Sequence, residues 1–208
     1  MALVSGPMMS VDASGKFAKS MVFSKWKGRN YVRQLVTPLN PRSAKQTGVR
    51  TMLGFLASMW KAKALPKWTG WTTAAEARSI SEFDAYMSEN LARWQMNDTP
   101  TEVYPATEAA TPLEIQTQTL TGFAGYATVL IDPATGTSIW GLLIFRSTAE
   151  ITVPSWANCV GVIEANGSSA VTFVDSPLDA GTYHYRTAAF CTDGTIGTIK
   201  ADGSCVVT

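Results

Sequence analysis

From Leu113 onward the chain is a succession of short β-rich runs cut by turn residues, and this rhythm limits the possible folds more than any other feature. The runs cover about residues 113–120, 124–132, 138–147, 159–165, 169–175, 182–191 and 199–207. Turn chemistry separates them at Pro133-Ala134-Thr135-Gly136, Asn166-Gly167, Asp193-Gly194 and Asp202-Gly203. Seven closely spaced short strands predict an all-β sandwich over 113–208. Trp140, in the third run, is expected as the core tryptophan between the two sheets. Tyr183, at the start of the sixth, stands where a tyrosine corner would form.

The first half has a different texture. Lys16 to Trp26 and Tyr31 to Val36 read as two strands joined by a turn at Lys27-Gly28-Arg29-Asn30, since Gly and Asn tolerate positive φ. A lone hairpin is marginal in water and needs a helix or another chain on its apolar face. Thr37-Pro38 ends the second strand. Asn40-Pro41 then opens a helix, with Asn as N-cap and Pro at the first helical position. Val49, Met52, Leu53, Leu56 and Trp60 form its apolar stripe. Thr73-Ala74-Ala75-Glu76 reads as the capping box of a second helix, with a stripe of Ile80, Phe83, Met87, Leu91 and Trp94. The expectation is a hairpin covered by two antiparallel helices over 16–96, with Trp26, Trp60, Trp68, Trp71 and Trp94 in its core. Residues 1–15 read as an arm. Residues 97–112, rich in Thr, Pro and Ala, read as an extended linker. The fold class is thus an α+β N-terminal domain followed by an immunoglobulin-like sandwich.

Charge separates the halves as well. The net charge of +1 is the sum of +8 over residues 1–98 and −7 over 99–208. From Ala13 to Ala75 there are twelve Lys/Arg and no Asp or Glu. Neutral surfaces usually intersperse both signs. Two partners answer such a stretch, an acidic protein surface or a nucleic acid, and an ordinary solvated face is the third reading. The residues assigned to partner docking are Lys25, Trp26, Lys27, Arg29, Tyr31, Arg33, Arg42, Lys45 and Arg50. No apolar run is long enough for a membrane helix, and the N-terminus lacks the charged start and apolar core of a secretory signal.

Little in the sequence predicts chemistry. His184 is the one histidine, and it has no nucleophile elbow beside it. One His with scattered Cys does not supply a metal cluster, and no glycine-rich phosphate loop occurs. Glu82 and Asp84, two apart on a helix, face different ways. Cys159, Cys191 and Cys205 read as reduced, buried thiols, with one disulfide left open. No catalytic residue, cofactor or metal is expected.

Two resemblances add to this. Residues 113–208 resemble a fibronectin type III domain, carried by Trp140, by Leu178-Asp179-Ala180-Gly181-Thr182-Tyr183-His184-Tyr185-Arg186, by Ala188 and Ala189, and by Asp193-Gly194. Residues 15–95 resemble a small domain recurrent in phage and prophage proteins. That likeness is carried by Lys25-Trp26-Lys27-Gly28-Arg29-Asn30-Tyr31-Val32-Arg33, then Pro38 to Gln46, Arg50, Trp60 and Ser81-Glu82-Phe83-Asp84-Ala85-Tyr86. It implies a virion structural protein, made in the host cytoplasm and built into the particle in several copies. Its basic domain would dock on capsid, neck or tail proteins and display the sandwich outward, as a decoration, collar or fibre-like component. A nucleic-acid-binding hairpin and a glycan-binding adhesion module are the alternatives.

Overall fold

The computed structural model describes residues 2–3, 15–17, 20–36, 42–62, 69–108, 114–133, 139–165 and 169–208. The chain divides into two compact units, Met1–Pro41 and Arg42–Thr208. This differs from the expected boundary in the 97–112 segment. The helices belong with the sandwich, because their apolar faces are used up on it.

The first unit is a four-stranded antiparallel sheet. Its strands are β1 (Ala2–Leu3), β2 (Gly15–Phe17), β3 (Met21–Trp26) and β4 (Arg29–Gln34), in the order β1-β4-β3-β2. Trp26 pairs with Arg29, so the hairpin turn is two residues, Lys27 and Gly28. Both have positive φ, 50° and 79°. This is the primed geometry whose twist matches that of the strands. It is tighter than the four-residue turn read from the sequence. Among residues 20–36 no side chain is fully buried.

In the second unit, α1 (Ala44–Ala62), α2 (Thr69–Arg78) and α3 (Glu82–Gln95) precede seven strands. Ser43 starts α1, its Oγ accepting from the Gln46 amide at 3.4 Å; Asn40-Pro41 lies outside the described residues. Three helices stand where two were expected. Thr73 lies inside α2, and the N-cap of the last helix is Ser81, whose Oγ accepts from the Asp84 amide at 3.1 Å. The break between α2 and α3 falls at Ser79, at φ 53°, a backbone conformation that no helix continues through.

The strands are β5 (Ile115–Phe123), β6 (Tyr126–Pro133), β7 (Ile139–Ser147), β8 (Cys159–Glu164), β9 (Val171–Asp175), β10 (Gly181–Cys191) and β11 (Gly203–Val207). All seven fall on the runs read from the sequence. They form a three-stranded sheet, β5-β6-β9, and a four-stranded one, β11-β10-β7-β8. This is an antiparallel two-sheet β-sandwich. Val129, Ile131, Leu142, Ile144, Val160 and Tyr185 fill the space between the sheets. The Tyr183 hydroxyl donates to the Asp179 carbonyl at 3.1 Å, completing the tyrosine corner.

Trp140 is not between the sheets. Gly141 pairs with Phe190 and Ile139 with Cys191, so Trp140 is an extra residue in the ladder. Such a bulge reverses the alternation of side chains. Leu142 and Ile144 point inward, whereas Trp140, Leu143 and Phe145 join the helix-facing core. There the Phe55 ring of α1 meets Trp140 at 4.9 Å and Phe190 at 5.7 Å, both edge to face. The four-stranded sheet is therefore covered on both faces. Ile139 to Phe145 is apolar without alternation for that reason.

The expected linker is a strap. Asn90 of α3 is fully buried; its Oδ1 accepts from the Thr101 amide at 2.6 Å and its Nδ2 donates to the Thr101 carbonyl at 3.0 Å. Glu102 N donates to Thr192 O at 2.6 Å, and Trp71 Nε1 donates to the Glu102 carbonyl at 2.7 Å. Of the expected core tryptophans, Trp71 and Trp94 are buried, Trp60 is partly buried, Trp26 is 66% exposed, and Trp68 lies outside the described residues.

Candidate functional site

The nine basic and aromatic residues singled out in the sequence fall in both units. Lys25, Trp26, Lys27, Arg29, Tyr31 and Arg33 are in the hairpin. Arg42, Lys45 and Arg50 are exposed at the start of α1.

Strand register sorts the first group. Trp26 opposes Arg29, Ser24 opposes Tyr31, and Val22 opposes Arg33. Cross-strand partners share a face and alternate residues take opposite faces. Trp26, Arg29, Tyr31 and Arg33 therefore stand together. Met21, Phe23, Val32 and Gln34 occupy the other face, with Lys25 and Asn30. Lys27, in the turn, places its Nζ 4.8 Å from the centre of the Trp26 ring. Arg29 and Arg33 are exposed, and Tyr31 is partly buried. The result is a sheet with one aromatic and cationic face and one that combines Met21, Phe23 and Val32 with Lys25, Asn30 and Gln34.

Lys45 borders a cleft of the second unit. This cavity, about 490 Å³, is lined by Val49, Leu91 and Trp94 of the helices and by Ser155 and Trp156. A smaller cavity of about 270 Å³ shares Asn97 and Trp156 with it and reaches Asp98, Glu108 and Thr195. Trp94 and Trp156 pack edge to face at 4.5 Å. Sequence reasoning missed this cleft, because it treated the helices and the sandwich as separate domains.

The groups with chemical potential are occupied structurally. His184 Nδ1 lies 2.7 Å from Asp202 Oδ2, while Asp202 Oδ1 accepts from the Ile151 amide at 3.2 Å. The pair ties two loops to β10. Glu82 accepts from the Thr72 hydroxyl at 2.8 Å, and Asp84 accepts from Ser81 Oγ at 2.7 Å. Asp175, 6% exposed, accepts from Arg146 Nη1 through both oxygens at 2.8 Å and from the Tyr185 hydroxyl at 2.9 Å. Burial first, then the Asp175 charge, pushes the Tyr185 hydroxyl well above its ordinary range. All three cysteines are buried and none is in a disulfide. Burial pushes the Cys159 thiol up to about 12, so it is held as the unreactive thiol. Among the described residues no group of three or more His, Cys, Asp or Glu side chains is placed to hold a metal ion. No described helix is long and apolar enough to cross a membrane.

No family model and no curated protein matches the chain. Solved structures are similar to part of it. A family 76 glycoside hydrolase from a bovine Bacteroides thetaiotaomicron strain is 10% identical over 47% of this chain and 20% of its own, with a TM-score of 0.37. The chicken CNTN1 FN1–FN3 domains are 15% identical over 46% of this chain and 32% of theirs, with a TM-score of 0.36. A Fn3-like protein from Clostridium thermocellum is 14% identical over 48% of this chain and 94% of its own, with a TM-score of 0.34. The chain thus spans a third or less of the length of the first two. At these scores the likeness carries no argument about activity, and the sandwich is defined by its own strand order.

Proposed function

We propose that the protein is a structural component of a bacteriophage particle. Its hairpin unit attaches to the particle, and its helix-covered sandwich is the body that the attachment displays. The observation that carries this reading is the contrast between the two units. The body has two well-filled cores. The hairpin unit is a sheet in which none of residues 20–36 is fully buried, and an apolar sheet face is stable when it is buried against another element. Met21, Phe23 and Val32 would supply the apolar contact on a capsid, neck or tail protein. The excess of cations over residues 16–36 would steer the approach to an acidic surface through its long-range field. Repetition of virion sites implies several copies.

The role is assembly, not catalysis. In support, the lone histidine and the nearest carboxylates are engaged in bonds that hold loops and helix ends. Mass spectrometry of purified particles, followed by cryo-EM localisation, tests the proposal. Stoichiometric presence and density at a repeated site are expected. Absence from purified particles would sink it.

A further inference from the structure

We infer that the face of the hairpin sheet bearing Trp26, Arg29, Tyr31 and Arg33 binds single-stranded nucleic acid. The inference stands on the hairpin unit alone and does not require the protein to sit on a particle. It also leaves the opposite face, with Met21, Phe23 and Val32, available for protein contact.

Single strands are held by two things together, aromatic platforms for the bases and cations along the backbone. Register puts both on one face. Trp26 and Arg29 form one cross-strand pair, and Tyr31 and Ser24 form the next on that face. Trp26 and Tyr31 are thus diagonal neighbours, about 7–8 Å apart by sheet geometry. Successive unstacked bases of an extended strand can use both rings. Trp26 is 66% exposed, which is unusual for a side chain that normally buries much of its surface. Arg29 and Arg33 flank the rings, and the Lys27 ammonium lies over the Trp26 ring, 4.8 Å from its centre, so a base stacking on that side displaces it toward the phosphate. The surrounding sequence has no acidic residue from Ala13 to Ala75 to repel a polyanion. An acidic protein surface would answer the cations as well. It would give no reason for two rings to share their face.

The full chain is titrated with a fluorescent oligothymidylate of about 20 nucleotides, a duplex of equal length, and poly-L-glutamate, at several salt concentrations. Three phosphate contacts, from Lys27, Arg29 and Arg33, predict a slope of about −2 for log affinity against log salt. The single strand should bind more tightly than the duplex. Trp26→Ala should weaken it roughly 5- to 150-fold, the loss of one stacked base. Arg29→Gln with Arg33→Gln should flatten the salt slope, whereas Lys25→Gln, on the opposite face, should have a smaller effect. Circular dichroism confirms that each variant is folded. Three results would overturn the inference: no saturable binding at about 50 mM salt, equal binding of duplex, or affinity unchanged by Trp26→Ala. Poly-L-glutamate binding as tightly as oligothymidylate, and indifferent to Trp26→Ala, would assign the face to an acidic protein instead.

Discussion

Gly48 shows how much one residue can decide. It is buried in α1 where the helix crosses β8, and a Cβ there would fall on the Cys159 carbonyl. That oxygen is backbone and cannot swing aside, so Gly48→Ala should destabilise the body by about 1–3 kcal/mol in urea unfolding. Tyr183→Phe removes only the hydroxyl that donates to the Asp179 carbonyl. Its cost should be about 1 kcal/mol in the same measurement. The Cys159 thiol gives a pH dependence. Burial raises its pKa from 9.0 to about 12, so as pH rises the unfolded chain loses that proton first. The stability it contributes is complete below about pH 9 and is lost progressively toward pH 12. Melting temperature should therefore fall as pH rises above about 9. Cys159→Ala should shallow that fall; the buried Tyr185 hydroxyl, shifted in the same direction, should leave part of it.

Elements were legible in the sequence where their signals are local. The seven strands announce themselves through β-rich runs and turn dipeptides, and the tyrosine corner follows from Tyr183 at the head of its strand. Helix facing was not legible in the same way. The stripe Val49, Met52, Leu53, Leu56, Trp60 is real, but the buried set of α1 is Gly48, Met52, Phe55, Leu56 and Met59. The helix has neighbours on two sides. Phe55 meets the sheet at Trp140, whereas Trp60 meets Phe83 and Tyr86 of α3. A single stripe cannot represent both contacts. The unalternated runs of β7 and β8 carried the missing signal, since a strand apolar on both sides must be covered on both. Phe55→Ala should cost about 3–5 kcal/mol, the range for a buried Phe. A fragment of residues 113–208 exposes Trp140, Leu143, Phe145 and Phe190 and should aggregate, whereas residues 42–208 should melt as one cooperative unit.

At the scale of the molecule, the strap from Asn97 to Glu108 is the main revision. Its Thr, Pro and Ala content reads as a linker because composition is blind to a buried partner. The partner is Asn90, whose side chain bonds both backbone groups of Thr101. The two compact units divide after Pro41, whereas the charge balance reads as changing between residues 98 and 99. Of the predicted docking residues, those on β3, β4 and their turn gather on a small sheet, and register separates Lys25 from the Trp26 face. Such sorting follows from strand pairing, which no list of residue types contains. On the proposed reading, the hairpin unit attaches and the body does not. Co-sedimentation of the full chain and of residues 42–208 with particles lacking the protein tests it most directly. The full chain should sediment with particles, while residues 42–208, folded by circular dichroism, should stay in the supernatant. Equal sedimentation of the two would contradict it.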